Sequence, residues 1–416
     1  MSAAKIDSAQ VNNQGDDEVF ELKPMNFNPY VLQRIAPDLL LKKYLDLNIR
    51  PSLRSFNEFK SIQINDSNLQ DNQNLLAKTT VKNGNTIVIC GIFAKITEQS
   101  LTSDSSILES SQLYNEIYEN DPSNQNQNTN SEFMPIYPII EIARGRFGAP
   151  TDEEMILAKK LYNLILNSRL IPKSSLKINL GIKFTDPITN KETTYYSNAD
   201  DEKNSENKEF NLNDFKPKNN FNFNLHATFK IFNREGPLFD IIYSTLLKTL
   251  QNVHLPNVYI DEQNAYLSNI LNNSAHSNIN TSRNKNKNNL IEDDLSLICD
   301  DSNTYPLILN QSIIGFSSTF GFIDRIKSEP HNENNISPND NDDKETVLLC
   351  DIEGEAEETE CYSRVNIIPI NNQNDSDDND EFTYFSITGG GSKITKQLLR
   401  KAVWLSKQRS KYLQSL

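Results

Sequence analysis

Three stretches of this 416-residue chain carry residue types and spacings that could do chemistry. The first is the turn Asn233-Arg234-Glu235-Gly236, followed by Pro237 and Leu238. It lies between a β-favouring run at Thr228–Phe232 and a long apolar run. A strand–turn–helix junction can hold phosphate through free N–H groups and the positive end of the helix dipole. That chemistry needs glycines, a hydroxyl or a basic residue. Pro237 has no N–H, and the carboxylates of Glu235 and Asp240 would repel an anion. The second stretch is the acidic run Asp351, Glu353, Glu355, Glu357, Glu358 and Glu360. Such carboxylates could hold a hard cation such as Mg²⁺. With no fixed geometry they read instead as a solvated acidic loop between two strands, and no metal is expected. The third is Gly389-Gly390-Gly391. It could cradle a phosphate, but no neighbour completes a phosphate motif, so it reads as a permissive turn.

Other candidates are scattered. His226, His254, His276 and His331 show no metal-ligand spacing. Cys90, Cys299, Cys350 and Cys361 contain no C-x-x-C pair, and the first three of these read as core thiols. Arg144 and Arg146 precede a helix, and the last helix carries Lys393, Lys396, Arg400, Lys401, Lys407, Arg409 and Lys411 with no acid. Arg144, Arg146, Lys393 and Lys396 are the candidate contacts to the phosphates of a partner. The alternatives are a solvated loop or an interface ion pair for the two arginines, and an outer or partner-facing surface for the helix. Trp404 reads as a packing anchor.

The elements that must position these groups follow from pattern. Leu238–Val253 is apolar nearly all round, as in a helix buried on several sides. Tyr30–Leu47 reads as one or two short helices, the second opened by Pro37. Phe59–Asn65 is an expected strand. Leu75–Val81 and Thr86–Thr97 are strands joined by the hairpin signal Lys82-Asn83-Gly84-Asn85. The run Ile87–Ile96 reads as covered on both faces. Met134–Glu141 is a strand, and Thr151-Asp152-Glu153-Glu154 is a capping box opening a helix that ends near Pro172. Strands are expected at Leu176–Phe184, Val258–Ile260, Leu295–Cys299, Pro306–Asn310, Ile313–Ile323, Val347–Asp351, Val365–Ile370 and Phe382–Thr388. A helix follows from Ser392, with the stripe Ile394, Leu398, Ala402, Leu405 packed on a sheet. Many strands with about three substantial helices imply an α+β fold with mixed sheets and covering helices.

Composition bounds the rest. Residues 1–28 read as a disordered tail. Asn/Asp-rich insertions are expected at about 100–131, 186–222, 262–294, 328–345 and 371–380, where too little apolar area exists to offset chain entropy. About 260 residues of ordinary globular composition remain, within a domain spanning 29–416. The net charge of −15 argues against a free-standing nucleic-acid binder. No signal peptide or membrane-length apolar run is visible, which implies a soluble intracellular protein.

Five short motifs, in order, resemble the RNase PH family. Arg50-Pro51-x-x-Arg54 is similar to its R-P-D-G-R opening, and Gly84–Ile92 to the strand pair that follows. Arg234–Asp240 resembles the turn opening the central helix. Leu349-Cys350-Asp351 with Glu357-Glu358 resembles an L-D-x-x-x-x-E-E stretch, and Ile387–Gly391 plus a helix resembles the family's ending. The likeness is greatest to the non-catalytic ring subunits of the eukaryotic RNA exosome. It implies the RNase PH fold, like ribosomal protein S5 domain 2, with two β-α-β-type halves. It also implies a ring of six related chains, S1/KH-type cap subunits, a processive exoribonuclease, RNA in the central pore, and a place in nucleus, nucleolus and cytoplasm. Active members carry a G-[TS]-R turn, where this chain has Gly236, Pro237 and Leu238. Their catalytic Asp falls here on Tyr362 or Ser363. Loss of these groups implies no catalytic residues and no cofactor. The alternatives are an active phosphate-dependent 3′→5′ exoribonuclease of the same fold, and an Asn-rich interaction scaffold.

Overall fold

The computed structural model describes residues 27–66, 74–99, 133–145, 148–185, 192–196, 220–261, 297–326, 344–370 and 381–416. Most of the expected tail and insertions, Arg146, His276 and His331 lie outside these residues.

Three sheets form the frame. The first has strand order β1-β2-β3-β7-β4, with β1 at Ile62–Asp66, β2 at Leu75–Asn83, β3 at Thr86–Gln99, β4 at Tyr137–Ile142 and β7 at Asn220–Phe232. β3 and β7 pair antiparallel from Ile87↔Phe232 to Gln99↔Asn220, and β4 lies parallel to β7. Asn83↔Thr86 closes the β2–β3 hairpin. Gly84 there has φ 61°, a conformation that costs glycine nothing at the first position of a two-residue turn. The second sheet is β6-β5-β8-β9: Glu192–Tyr196, Leu180–Thr185, His254–Asp261 and Ile298–Pro306. The third is β11-β10-β12-β13: Lys344–Cys350, Ser318–Ile326, Ser363–Pro369 and Phe382–Thr388.

Seven α-helices lie among the described residues: α1 (Pro29–Ile35), α2 (Pro37–Asp46), α3 (Asp152–Asn167), α4 (Lys173–Leu176), α5 (Phe239–Gln251), α6 (Gly354–Glu360) and α7 (Lys396–Ser415). α5 is the expected central helix, and ten of its thirteen residues are buried. Three of its buried hydroxyls are satisfied within the helix. Ser244, Thr245 and Thr249 each donate a hydroxyl hydrogen bond to the carbonyl four residues back, at 2.6–2.7 Å. α5 packs on β2 and β3, where Val88, Cys90 and Ile92 alternate inward. The other face of β3 is only half-buried at Ile87, Ile89 and Phe93, so this strand is not closed on both sides as its apolar run suggests. The third sheet is the one covered twice. Phe320, Phe322, Leu348, Cys350, Val365 and Ile367 meet α7 on one face. Ile323 and Leu349 meet Leu41 and Leu45 of α2 on the other. Burying such side chains contributes about 2 kcal/mol each against an extended chain.

Several expectations shift. Residues 173–176 are helical, and the strand expected from Leu176 starts at Leu180. The stretch 186–222 contains β6, paired with β5, and the start of β7; Thr193, Thr194, Tyr195 and Tyr196 are β-favouring residues that suit a strand despite polar flanks. Residues 307–310 are not a strand, and the last helix starts at Lys396 rather than Ser392. Cys299 is exposed on the edge strand β9, unlike Cys90 and Cys350. Among the described residues no helix is long and apolar enough to cross a membrane.

Candidate functional site

The motif residues converge where the turn before α5 meets the turn before α6. Gly236 has φ 75°, and a Cβ there would lie 2.5 Å from the carbonyl oxygen of Ile352. Only glycine allows the two turns to touch so closely. Asp351 sits in the left-handed region at φ 55°, and Gly354, φ 75°, opens α6.

Arg50 is fully buried. Its Nε and Nη2 donate to the two carboxylate oxygens of Glu357 at 2.8 and 2.5 Å, a bidentate fork. Its remaining donors reach the carbonyls of Cys350 at 2.5 Å and Asp351 at 3.0 Å. Glu357 also accepts the backbone N–H of Glu353 at 2.9 Å. Burial opposes the charge on Arg50, but the Glu357 carboxylate outweighs it and raises the guanidinium's pKa. Arg54 donates to Glu353 at 2.6 and 3.0 Å and to the carbonyls of Asp351 and Glu58. Arg234, in the turn itself, bridges Glu153 of α3 at 3.0 Å and Glu358 of α6 at 2.7 Å. Arg364 donates to the carbonyls of Glu358 and Cys361.

The acidic run is therefore neither a solvated loop nor an open cation site. It forms a short helix, and Glu353, Glu357 and Glu358 receive arginines from other parts of the chain. Among the described residues, no cluster of His, Cys, Asp and Glu is arranged to hold a metal ion.

The groups a phosphate would need are placed elsewhere or missing. Leu238 is buried in the core, where an arginine would stand in active relatives of the family the motifs resemble. Pro237 precedes it and offers no N–H. Asp240, in the first turn of α5, points into a polar seam. It accepts from Ser317 Oγ at 2.5 Å and Asn366 Nδ2 at 3.1 Å, and Asn366 also donates to Thr319 at 2.9 Å. Burial raises the Asp240 pKa, and the hydroxyls of Ser317 and Thr319 only partly oppose it. Tyr362 is exposed and Ser363 is buried, so no carboxylate occupies either position.

Of the four expected RNA contacts, three lie among the described residues, on two different parts of the chain. Arg144 is tied into the capping box of α3. It pairs with Glu154 at 2.5 Å and donates to Thr151 Oγ1 at 3.0 Å. Glu154 also accepts the N–H groups of Ile142 and Thr151 at 2.7 and 2.6 Å. Burial alone would raise the Glu154 pKa, but these donors lower it to about 2. Arg146 lies outside the described residues. Lys393 and Lys396 are exposed before and at the start of α7. Trp404 is not a packing anchor; it is 57% exposed on that helix, while Ala402 and Leu405 take the buried side.

The chain is similar to an RNase PH-type exosome subunit. Exosome complex component rrp43 of Schizosaccharomyces pombe is 25% identical to it over 157 residues, which is 38% of this chain and 49% of that protein. The chain thus spans about half the length of this curated relative. Among solved structures, an Archaeoglobus fulgidus exosome with RNA bound to the active site matches with a TM-score of 0.46 and 13% identity, over 92% of this chain and 98% of that one. An archaeal exosome core matches with a TM-score of 0.46 and 14% identity, over 92% and 96%. No family model matches.

Sequence reasoning placed the arginines and carboxylates but missed their pairing. Arg50 and Glu357 are 307 residues apart. The one signal was that both belong to motifs of the same family.

Proposed function

We propose that this chain is a non-catalytic ring subunit of an RNA exosome. It completes a ring with related RNase PH-type chains, offers surfaces to S1/KH-type cap subunits and to a processive exoribonuclease, and supports 3′→5′ RNA processing, rRNA maturation and RNA turnover in nucleus, nucleolus and cytoplasm. One observation carries the loss of catalysis. The arginines of the R-P-x-x-R motif, and Arg234 beside the helix turn, are each held by carboxylates or carbonyls of the chain itself, while Pro237 and Leu238 stand where phosphate ligands belong. Phosphorolysis needs inorganic phosphate held in line with the scissile bond. A buried, bidentate arginine–glutamate pair does not release its guanidinium to a passing anion, because the glutamate would be left uncompensated.

The test is direct. Pure protein is incubated with single-stranded RNA, inorganic phosphate and Mg²⁺, and nucleoside diphosphates are measured. No release above a protein-free control is expected. Phosphate-dependent diphosphate release would establish the active exoribonuclease instead.

A further inference from the structure

α7 has no carboxylate side chain in any of its 20 residues, on a chain of net charge −15. Its buried side is Ala402, Leu405, Ser406, Ser410 and Leu413, with Leu398, Leu399 and Val403 at the margins. At about 100° per residue, Trp404 stands opposite the middle of that side. It is 57% exposed. Arg400 lies one turn before it, Lys396 one turn further, and Lys401 flanks it. Lys393 precedes the helix. All four cations are exposed. None is in an ion pair with a carboxylate among the described residues. Tyr412, 50% exposed, stands two turns beyond Trp404. From Lys396 to Trp404 the face runs about 12 Å.

We propose that this face of α7 binds single-stranded RNA, with Lys393, Lys396, Arg400 and Lys401 on phosphates and Trp404 as a stacking platform for a base. A cationic track with interleaved aromatics is the arrangement that single strands use, since every base has a π-face and every nucleotide a charge. An amphipathic peptide would need aliphatic side chains to grip. On α7 all aliphatic side chains before the terminal Leu416 lie on the buried side or its margins, and the apolar groups that stand among the exposed cations and glutamines are aromatic rings. The choice of RNA rests on the exosome reading above, whereas the charge and stacking geometry do not.

Trp404 is the only tryptophan in the chain, so it reports its own occupancy. The full-length protein is titrated with a 12-nucleotide oligoadenylate and, separately, with polyglutamate of equal charge, while tryptophan fluorescence is followed. RNA is expected to quench the emission, with affinity falling as salt rises. Arg400→Gln with Lys401→Gln should lower the slope of log K against log salt by roughly 1.4, about 0.7 for each phosphate that is no longer neutralised. Trp404→Ala, followed by anisotropy of labelled RNA, should weaken binding roughly tenfold or more. These side chains are exposed, so unchanged circular dichroism and melting will confirm that the variants fold. Absence of quenching, an unchanged salt slope in the double variant, or polyglutamate binding as tightly as RNA would overturn the proposal. Ring membership, measured by co-purification, is unaffected by any of these outcomes.

Discussion

Glu357→Gln is the substitution with the largest calculable consequence. It keeps the side chain's shape and removes its charge. Arg50 then stays fully buried with a guanidinium facing only an amide and the carbonyls of Cys350 and Asp351. Breaking a buried ion pair by neutralising one member costs about 3–5 kcal/mol. At about 2–4 °C per kcal/mol for a domain of this size, the melting temperature should fall by roughly 6–20 °C. Arg50→Met should cost a similar amount, because Glu357 is then the uncompensated charge. The double variant Arg50→Met/Glu357→Leu removes both charges, so its cost should fall well short of the sum of the two singles, by at least about 2 kcal/mol. Urea unfolding of the four proteins, in the same oligomeric state, completes the cycle. Additive single effects, or single variants that melt within a degree of the parent, would refute the assignment of these motif residues as struts. So would an Arg50 variant that melts normally but loses phosphate or RNA binding.

Two further outcomes follow from the same junction and the helix beside it. Gly236→Ala should destabilise by roughly 2 kcal/mol or more, since it combines a positive φ with backbone 2.5 Å from the new Cβ; thermal unfolding will read it. Glu154 has a folded pKa depressed from 4.5 to about 2, so its contribution is present above pH 4.5 and is lost as pH falls toward 2. With the half-exposed Arg144 partly screened by solvent, that contribution is about 1–2 kcal/mol. Urea unfolding of Glu154→Gln against the parent between pH 2 and 6 should show the gap closing as pH falls.

Local signals explain what could be read from the residues. Lys82-Asn83-Gly84-Asn85 announced its hairpin, the Thr151–Glu154 box announced α3, and the all-round apolar run announced α5. These features depend on neighbours in the chain. What escaped depends on distant partners or on which side of an element is covered. The acidic run 351–360 looks solvated until arginines 300 residues away are seen to reach it. Cys299 belongs to an apolar run and Trp404 is a large aromatic, residue types that usually pack, yet one lies on an edge strand and the other on the uncovered side of a helix. Leu53 stands where the family's R-P-D-G-R motif has glycine. Its φ is 62°, a backbone conformation that favours glycine.

The central claim is membership of a hetero-oligomeric ring in which this chain does no chemistry. Native mass spectrometry of the complex purified on a tagged full-length chain tests it most directly. One copy of this chain with five different related subunits is the expected composition. Recovery of this chain alone, or as a homo-oligomer with no related partner, would contradict the account.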